Sequence, residues 1–281
     1  MKPKFLYFSV LLLVLSNCKT NKVPQTSWLS AEQLAQYKFY PELISTGALE
    51  QNYLSFTQDE RVVFWTAGND WEKQLPFLAK KVNGRFTKAQ RIVELDTIYN
   101  GAISPSGRRI LYTVRQGEET STWLSQQSEG QWLPGVNLTD QSGIKAGYFQ
   151  WYTEKELYLY TPENEGDLAM GRFVGEQLEI EPLPTPINTA RGTEFSPFMG
   201  PKKQFLIFTR YLEGEPAQQG FFYSHNEGSE SEPKWTPPQK IEALPYGWGA
   251  SLSRDGRTFY FTDGLDIFAI PFSSLSLKRT P

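Results

Sequence analysis

The stretch Ala102-Ile103-Ser104-Pro105-Ser106-Gly107-Arg108-Arg109-Ile110-Leu111-Tyr112-Thr113 decides the fold, because the chain repeats it. A second copy runs from Ser251 through Ser253-Arg254-Asp255-Gly256 to Thr262, and a third from Leu54 through Thr57-Gln58-Asp59-Glu60 to Thr66. Looser copies end at Thr161 and Thr209. The closing threonines, Thr66, Thr113, Thr161, Thr209 and Thr262, are 47, 48, 48 and 53 residues apart. A repeat of about 40–50 residues holding several short strands predicts an all-β fold, a β-propeller.

The second repeat parses into four strands. Gly101 to Ser104 is short and small-apolar, as an innermost strand beside a crowded axis must be. Ser104-Pro105-Ser106-Gly107 is a turn, with proline presetting φ and glycine tolerating the exit. Arg109 to Val114 is the second strand, Ser121 to Gln127 the third, and Trp132 to Leu138 the outer one, where Pro134 is tolerated beside an unpaired edge. The outer strands repeat too. Phe86 to Ile92, Trp132 to Leu138 and Trp235 to Ile241 each carry an aromatic, a break and an aliphatic six residues on. The aromatic reads as a wedge between neighbouring blades.

The last repeat ends after a strand at Leu265 to Pro271, one strand short, while Tyr37 to Ser45 forms a strand without a blade. Five four-stranded blades follow, the ring being closed by this N-terminal strand. Six blades would need the short 28–50 region to build most of a blade. Ser30 is a suitable N-cap for a brief helix to Gln36.

Composition narrows the function. The formal net charge is −3, and a mildly acidic body lacks the basic footprint of a nucleic-acid binder. Lys2 and Lys4 precede the apolar run Phe5 to Leu15, too short to span a bilayer as a helix, so residues 1–17 read as a signal peptide. The run closes with Leu15-Ser16-Asn17-Cys18, and Cys18 is the single cysteine of the chain. This pattern resembles the lipobox of bacterial lipoproteins, although Asn17 stands where a smaller residue is usual. The resemblance implies cleavage before Cys18 and lipid on Cys18. The other reading is a plain signal peptide that contains a cysteine. Residues 18–28 are a polar tether and residues 29–281 a single propeller domain. Lys19 follows the cysteine where some inner-membrane lipoproteins carry Asp, so the resemblance points to the outer membrane, facing the periplasm or the exterior.

The Ser104 to Thr113 phrase resembles the Ser-Pro-Asp-Gly-Lys phrase of the TolB-type, WD-like propeller repeat, over roughly residues 38–271. The resemblance implies an envelope module that binds or scaffolds a protein partner without catalysis. The departures are Thr57 to Glu60, without Pro or Gly, and Tyr152 to Lys155, without the turn signature.

In this strand order the segments entering the inner strands meet at the channel mouth. They bring Asn52, Tyr99, Asn100, Tyr148, Arg191, Glu194, Tyr246 and Trp248 to one rim. Aromatic faces with directed polar groups suit a sugar or a peptide. The alternative is that these side chains only pack the mouth. A glycan or peptidoglycan fragment is the second ligand class. A glycoside hydrolase is the third reading, and would need carboxylates about 5–5.5 Å or about 6.5–9.5 Å apart across the channel. Glu50 and Glu194 are the acids best placed for it, with Asp70, Glu118 and Asp263 in flanking loops. His225 is the one histidine and has no companion at metal or triad spacing. Asn164 to Asp167 lacks the spacing of a calcium loop, no phosphate loop is present, and no cofactor or metal is expected. Asp96-Thr97-Ile98 resembles a bacterial O-glycosylation tripeptide.

The lipobox reading predicts that labelled palmitate enters the wild-type chain in its native host. Cys18→Ser should abolish labelling and move the protein from the membrane to the soluble fraction; label retained by that variant would refute it.

Overall fold

The computed structural model describes residues 29–277. The leader, Cys18 and the polar tether lie outside the described residues. Four antiparallel sheets start at inner strands Glu50–Phe56, Asn100–Ile103, Gly147–Trp151 and Thr193–Met199, and a fifth starts at Trp248–Leu252. These are blades 1 to 5. In each, the chain steps outward from the inner strand to a second and third strand, so neighbours in sequence are neighbours in the sheet.

The fifth sheet has three full strands of its own, ending at Ile267–Pro271. The N-terminal segment supplies the fourth. Lys38 bridges Phe268, Phe39 N–H donates to Ile267 O at 2.7 Å, and Ala269 N–H donates to Tyr37 O at 2.8 Å. Lys38 Nζ also meets Asp266 at 2.6 Å. The N-terminal segment closes the ring where expected, but only residues 37–39 pair, as an isolated bridge; the chain turns at Tyr40 to Ile44 instead of continuing as a strand to Ser45. The lead-in helix spans Ala31–Ala35, with Ser30 and Gln33 forming a reciprocal capping box.

Strand periodicity distributes the core. Along the second strand of blade 1, Val63 and Trp65 pack with Phe39, Ile44 and Tyr260 between blades 5 and 1. Phe64, on the opposite face, packs with Ile103, Ile110 and Tyr112 between blades 1 and 2. Blades 2 and 3 share Leu111, Phe149 and Leu157; blades 3 and 4 share Tyr158, Leu206 and Phe208; blades 4 and 5 share Ile207, Phe221 and Phe259. The apolar interior is thus five layers between blades rather than one central core. Trp132, Phe86 and Trp235 lie in or against three of these layers, as wedges should. The breaks behind Phe86 and Trp132 divide their outer strands into short pieces, Arg85–Phe86 with Gln90–Arg91 and Gln131–Trp132 with Val136–Asn137.

The repeated phrase has two physical jobs. Its first Ser or Thr caps the turn: Ser104 Oγ accepts Arg109 N–H at 3.2 Å, Ser253 Oγ accepts Thr258 N–H at 2.9 Å, and Thr57 Oγ1 accepts Val62 N–H at 3.0 Å. Gly107 and Gly256 have φ of 76° and 71°, and Glu60 takes the same region at 54° where the third copy lacks glycine. Its closing Thr staples adjacent blades. The hydroxyls of Thr113, Thr209 and Thr262 donate to Ala146 O, Gly247 O and Gln51 O, at 2.7, 2.9 and 2.9 Å. Each acceptor lies where the next blade's inner strand begins, and Thr262 to Gln51 joins the last blade to the first. Thr66 and Thr161 are equally buried but accept backbone N–H groups of their own blades.

Ser45 seals the closure. Its buried hydroxyl donates to Ile267 O and accepts Ile267 N–H, both at 3.0 Å. Ser45→Ala leaves the buried Ile267 N–H unmatched, while Ile267 O keeps Phe39 N–H, so urea unfolding should show a loss of about 1–3 kcal/mol. The exposed neighbour substitution Glu42→Ala should stay within about 0.5 kcal/mol.

Candidate functional site

Four of the five inner strands carry a bulge at one repeated position, and this decides what reaches the axis. The bulged pairs are Asn52 and Tyr53, Tyr148 and Phe149, Ser196 and Pro197, and Gly249 and Ala250. Tyr148, Ser196 and Gly249 have φ of 51°, 54° and 69°, so the bulge re-aims the side chains around them. Pro197 is tolerated here because the ladder is already interrupted.

Tyr53 crosses the axis. Its hydroxyl donates to Phe149 O of blade 3 at 2.9 Å and pairs with Ser196 of blade 4, whose Oγ accepts Gly249 N–H of blade 5 at 2.7 Å. Burial pushes the Tyr53 phenol far above its ordinary pKa. This side chain lies between the channel's two mouths. On one side it faces Tyr148, at 6.2 Å between ring centroids; on the other it lines a cavity of 430 Å³ among the turns that follow the inner strands.

The entry mouth holds most of the residues expected there. Tyr99 and Tyr148 share a 2.7 Å hydrogen bond between hydroxyls. Tyr148 packs on Phe195 at 5.0 Å and Tyr160 at 5.9 Å. Asn100 Oδ1 accepts Tyr148 N–H at 2.7 Å, and Asn52 Oδ1 accepts Trp248 Nε1–H at 2.6 Å. Tyr246 contacts Trp248 at 6.3 Å. Both asparagines therefore tie one blade to its neighbour, and the tyrosines form a packed floor.

Arg191 and Glu194 take other partners. Arg191 pairs with Glu215 at 2.8 Å on the surface. Glu194 is fully buried, 2.7 Å from Arg210 Nε and 2.8 Å from Thr189 Oγ1. Burial raises its pKa, against the opposing pull of Thr189 and Arg210. Arg210 stacks over Phe222 at 4.7 Å and donates to Ile187 O, so this pair holds blade 4 together. Among the other acids, Asp70 accepts Glu72 N–H, and Asp263 accepts the N–H groups of Leu265 and Asp266. Glu50 and Glu118 are exposed. Among the described residues no group of three or more His, Cys, Asp or Glu could hold a metal ion.

The mouth also gathers residues that sequence reasoning missed. Arg115 lies 4.7 Å over the Trp71 ring and 5.8 Å over Tyr99, and pairs with Glu72 at 3.3 Å. Trp71, Tyr211 and Tyr246 remain 51%, 42% and 42% exposed, unusual for large aromatic side chains. Trp71 follows Asp70 in a flanking loop, so its position was available from the strand order. Tyr211 ends a second strand, where nothing in the repeat distinguishes it.

No family model matches the chain, and no curated protein matches it. Solved structures do. A putative TolB from Agrobacterium tumefaciens aligns with a TM-score of 0.50 at 10% identity, covering 78% of this chain and 74% of that one. GH43B of a Bacteroides ovatus xyloglucan PUL aligns at 0.51 and 10% identity, covering 79% and 52%. TolB from Acinetobacter baumannii aligns at 0.46 and 14% identity over 79% of this chain, which spans about half of that protein's length, 54%. The class is a five-bladed β-propeller, with TolB-like propellers among its structural neighbours. At these identities the likeness extends to the fold alone.

Burial raises the pKa values of Tyr99, Tyr148 and Tyr160, and pushes Tyr246 up to about 12, with Tyr211 and Tyr99 adding to it. Such phenols keep their protons in the fold after the unfolded chain has lost its own. Their contribution is complete below about pH 10 and is lost as pH rises toward the folded values. Stability should therefore be level through pH 9 and fall above pH 10. A spectrophotometric titration at 295 nm should show Tyr99, Tyr148 and Tyr160 ionising only with unfolding. Complete, reversible ionisation near pH 10 in the folded protein would contradict the packed floor.

Proposed function

We propose that this chain is an exported, lipid-anchored propeller of the bacterial outer membrane that holds a protein partner on its entry face without catalysis. One observation carries the reading: Trp71, Tyr211 and Tyr246 stand exposed around a floor already closed by Tyr99, Tyr148 and Trp248. A closed floor leaves little depth for a buried substrate, whereas exposed Trp and Tyr beside Arg115 have the composition of a protein-binding hot spot. The acid favoured for hydrolysis, Glu194, is engaged by Arg210 and Thr189, which supports the non-catalytic reading. The signal-like leader and Cys18 supply the membrane part of the proposal from sequence. The same aromatics would suit a glycan, so the test separates the two.

The tagged protein should be solubilised gently from native membranes beside a Trp71→Ala/Tyr211→Ala/Tyr246→Ala variant. A stoichiometric envelope protein should co-purify with the wild type and be lost from the variant, with affinity falling at least tenfold for about 1.4 kcal/mol or more. The replaced side chains are exposed, so the melting temperature should hardly move. A partner retained by the variant overturns the proposal. So does binding to isolated cell-wall polysaccharide that the variant lacks, which would install the glycan reading.

A further inference from the structure

The cavity on the opposite face is not used by the proposed docking surface. All five blades line it, through inner-strand residues such as Ser55, Gln150 and Ser251 and through the turns that follow them. Tyr53 closes its inner end. Its volume of 430 Å³ lies within the range of about 300–1,000 Å³ common for small-ligand sites.

The chemistry of the walls is uncharged and hydrogen-bonding. Ser251 Oγ has no hydrogen-bond partner among the described residues and lies half-buried on blade 5. Ser55 Oγ accepts Ile103 N–H at 3.0 Å, which leaves its own proton to donate. Gln150 Oε1 accepts Met199 N–H at 2.9 Å, while its amide nitrogen makes one long contact of 3.3 Å, to Trp151 O, leaving a second N–H. Three blades thus bring unspent polar capacity to one volume; half-buried Tyr152 is among the lining residues, while the Trp151 ring is buried against Phe173 and Arg109. The carboxylates at its mouth are already engaged. Glu60 accepts Arg254 N–H at 2.7 Å, and Glu154 pairs with Arg109 at 2.9 Å while accepting Ser106 N–H. The Arg254 side chain, also in the lining, opposes the charge of Glu60, so the mouth as a whole carries no net charge to select an ion.

We infer that this cavity is a binding site for a neutral carbohydrate of one or two sugar rings. Hydroxyls and a carboxamide match sugar hydroxyls as donor and acceptor, and apolar lining residues such as Met199 and Leu252 match the apolar faces of the rings. The site is independent of the entry-face proposal, since Tyr53 separates the two mouths and none of Trp71, Tyr211 or Tyr246 lines the cavity.

The test uses the soluble form of residues 29–281 only if its melting temperature matches the full chain, and the full detergent-solubilised chain otherwise. Cellobiose, maltose, N,N′-diacetylchitobiose and the tripeptide Ala-Ala-Ala are titrated by calorimetry, up to 10 mM. At least one sugar should bind. Ser251→Phe, which fills the cavity, should weaken it at least tenfold, while the Trp71→Ala/Tyr246→Ala variant should leave it unchanged. Should Ser251→Phe fail to fold, Ser251→Val provides a smaller obstruction at a side chain that holds no hydrogen bond, and at least a threefold weakening is expected. The inference is overturned if no sugar binds, if the tripeptide alone binds, or if the folded Ser251 variants bind as the wild type does.

Discussion

The rest of this structure depends on closing the ring. Every blade buries one face against each neighbour, so an open ring would expose an apolar layer as well as a strand edge. Phe39, Val63, Trp65, Tyr260 and Ile267 fill the layer at the seam, and they meet only when the first and last thirds of the chain come together. The seam is held three ways. The N-terminal segment pairs with Ile267 to Ala269, Ser45 bonds both polar groups of Ile267, and Thr262 reaches Gln51. This is the same staple that joins blade 2 to 3 and blade 4 to 5, used where the sequence separation is largest.

Closing a ring of five leaves an axis to be filled, and Tyr53 fills it. At the matching bulge position the other blades carry Phe149, Pro197 and Ala250, so one long polar-tipped side chain does what five equal ones could not. The phenol reaches blades 3 and 4, and the channel becomes two unlike mouths. One is an aromatic floor with an exposed rim. The other is a cavity whose walls retain donors and acceptors. Two faces with different chemistry are a common resource of propellers, whose loops at either end diverge while the blades keep their packing.

The fold was legible because its signals are local and periodic. Ser104, Ser253 and Thr57 cap a turn within their own blade, so a short phrase records them even where Thr57 to Glu60 lacks Pro and Gly. The rim was legible in part. Strand order places Asn52, Tyr99, Asn100, Tyr148, Tyr246 and Trp248 at one end, and the structure keeps them there. The same order placed Arg191 and Glu194 beside them, but a residue's end of a strand does not say which way its side chain points. Glu194 turns into blade 4 toward Arg210, since a buried carboxylate without a cation would be far more costly.

By itself the sequence determined the repeat, the number of blades, the segment that closes them and most of the residues at the entry mouth. Each of these follows from spacing along one chain and from the alternation of faces in a strand. Only the tertiary structure decided that Tyr53 would bridge the axis, that Asn52 and Asn100 would tie blades together, and that a cavity would form behind them. Those features are set by contacts between residues from about 50 to 200 positions apart, chiefly through bulges that rotate single side chains. No pattern within one blade encodes such a meeting, because each blade carries only its own share of the wall.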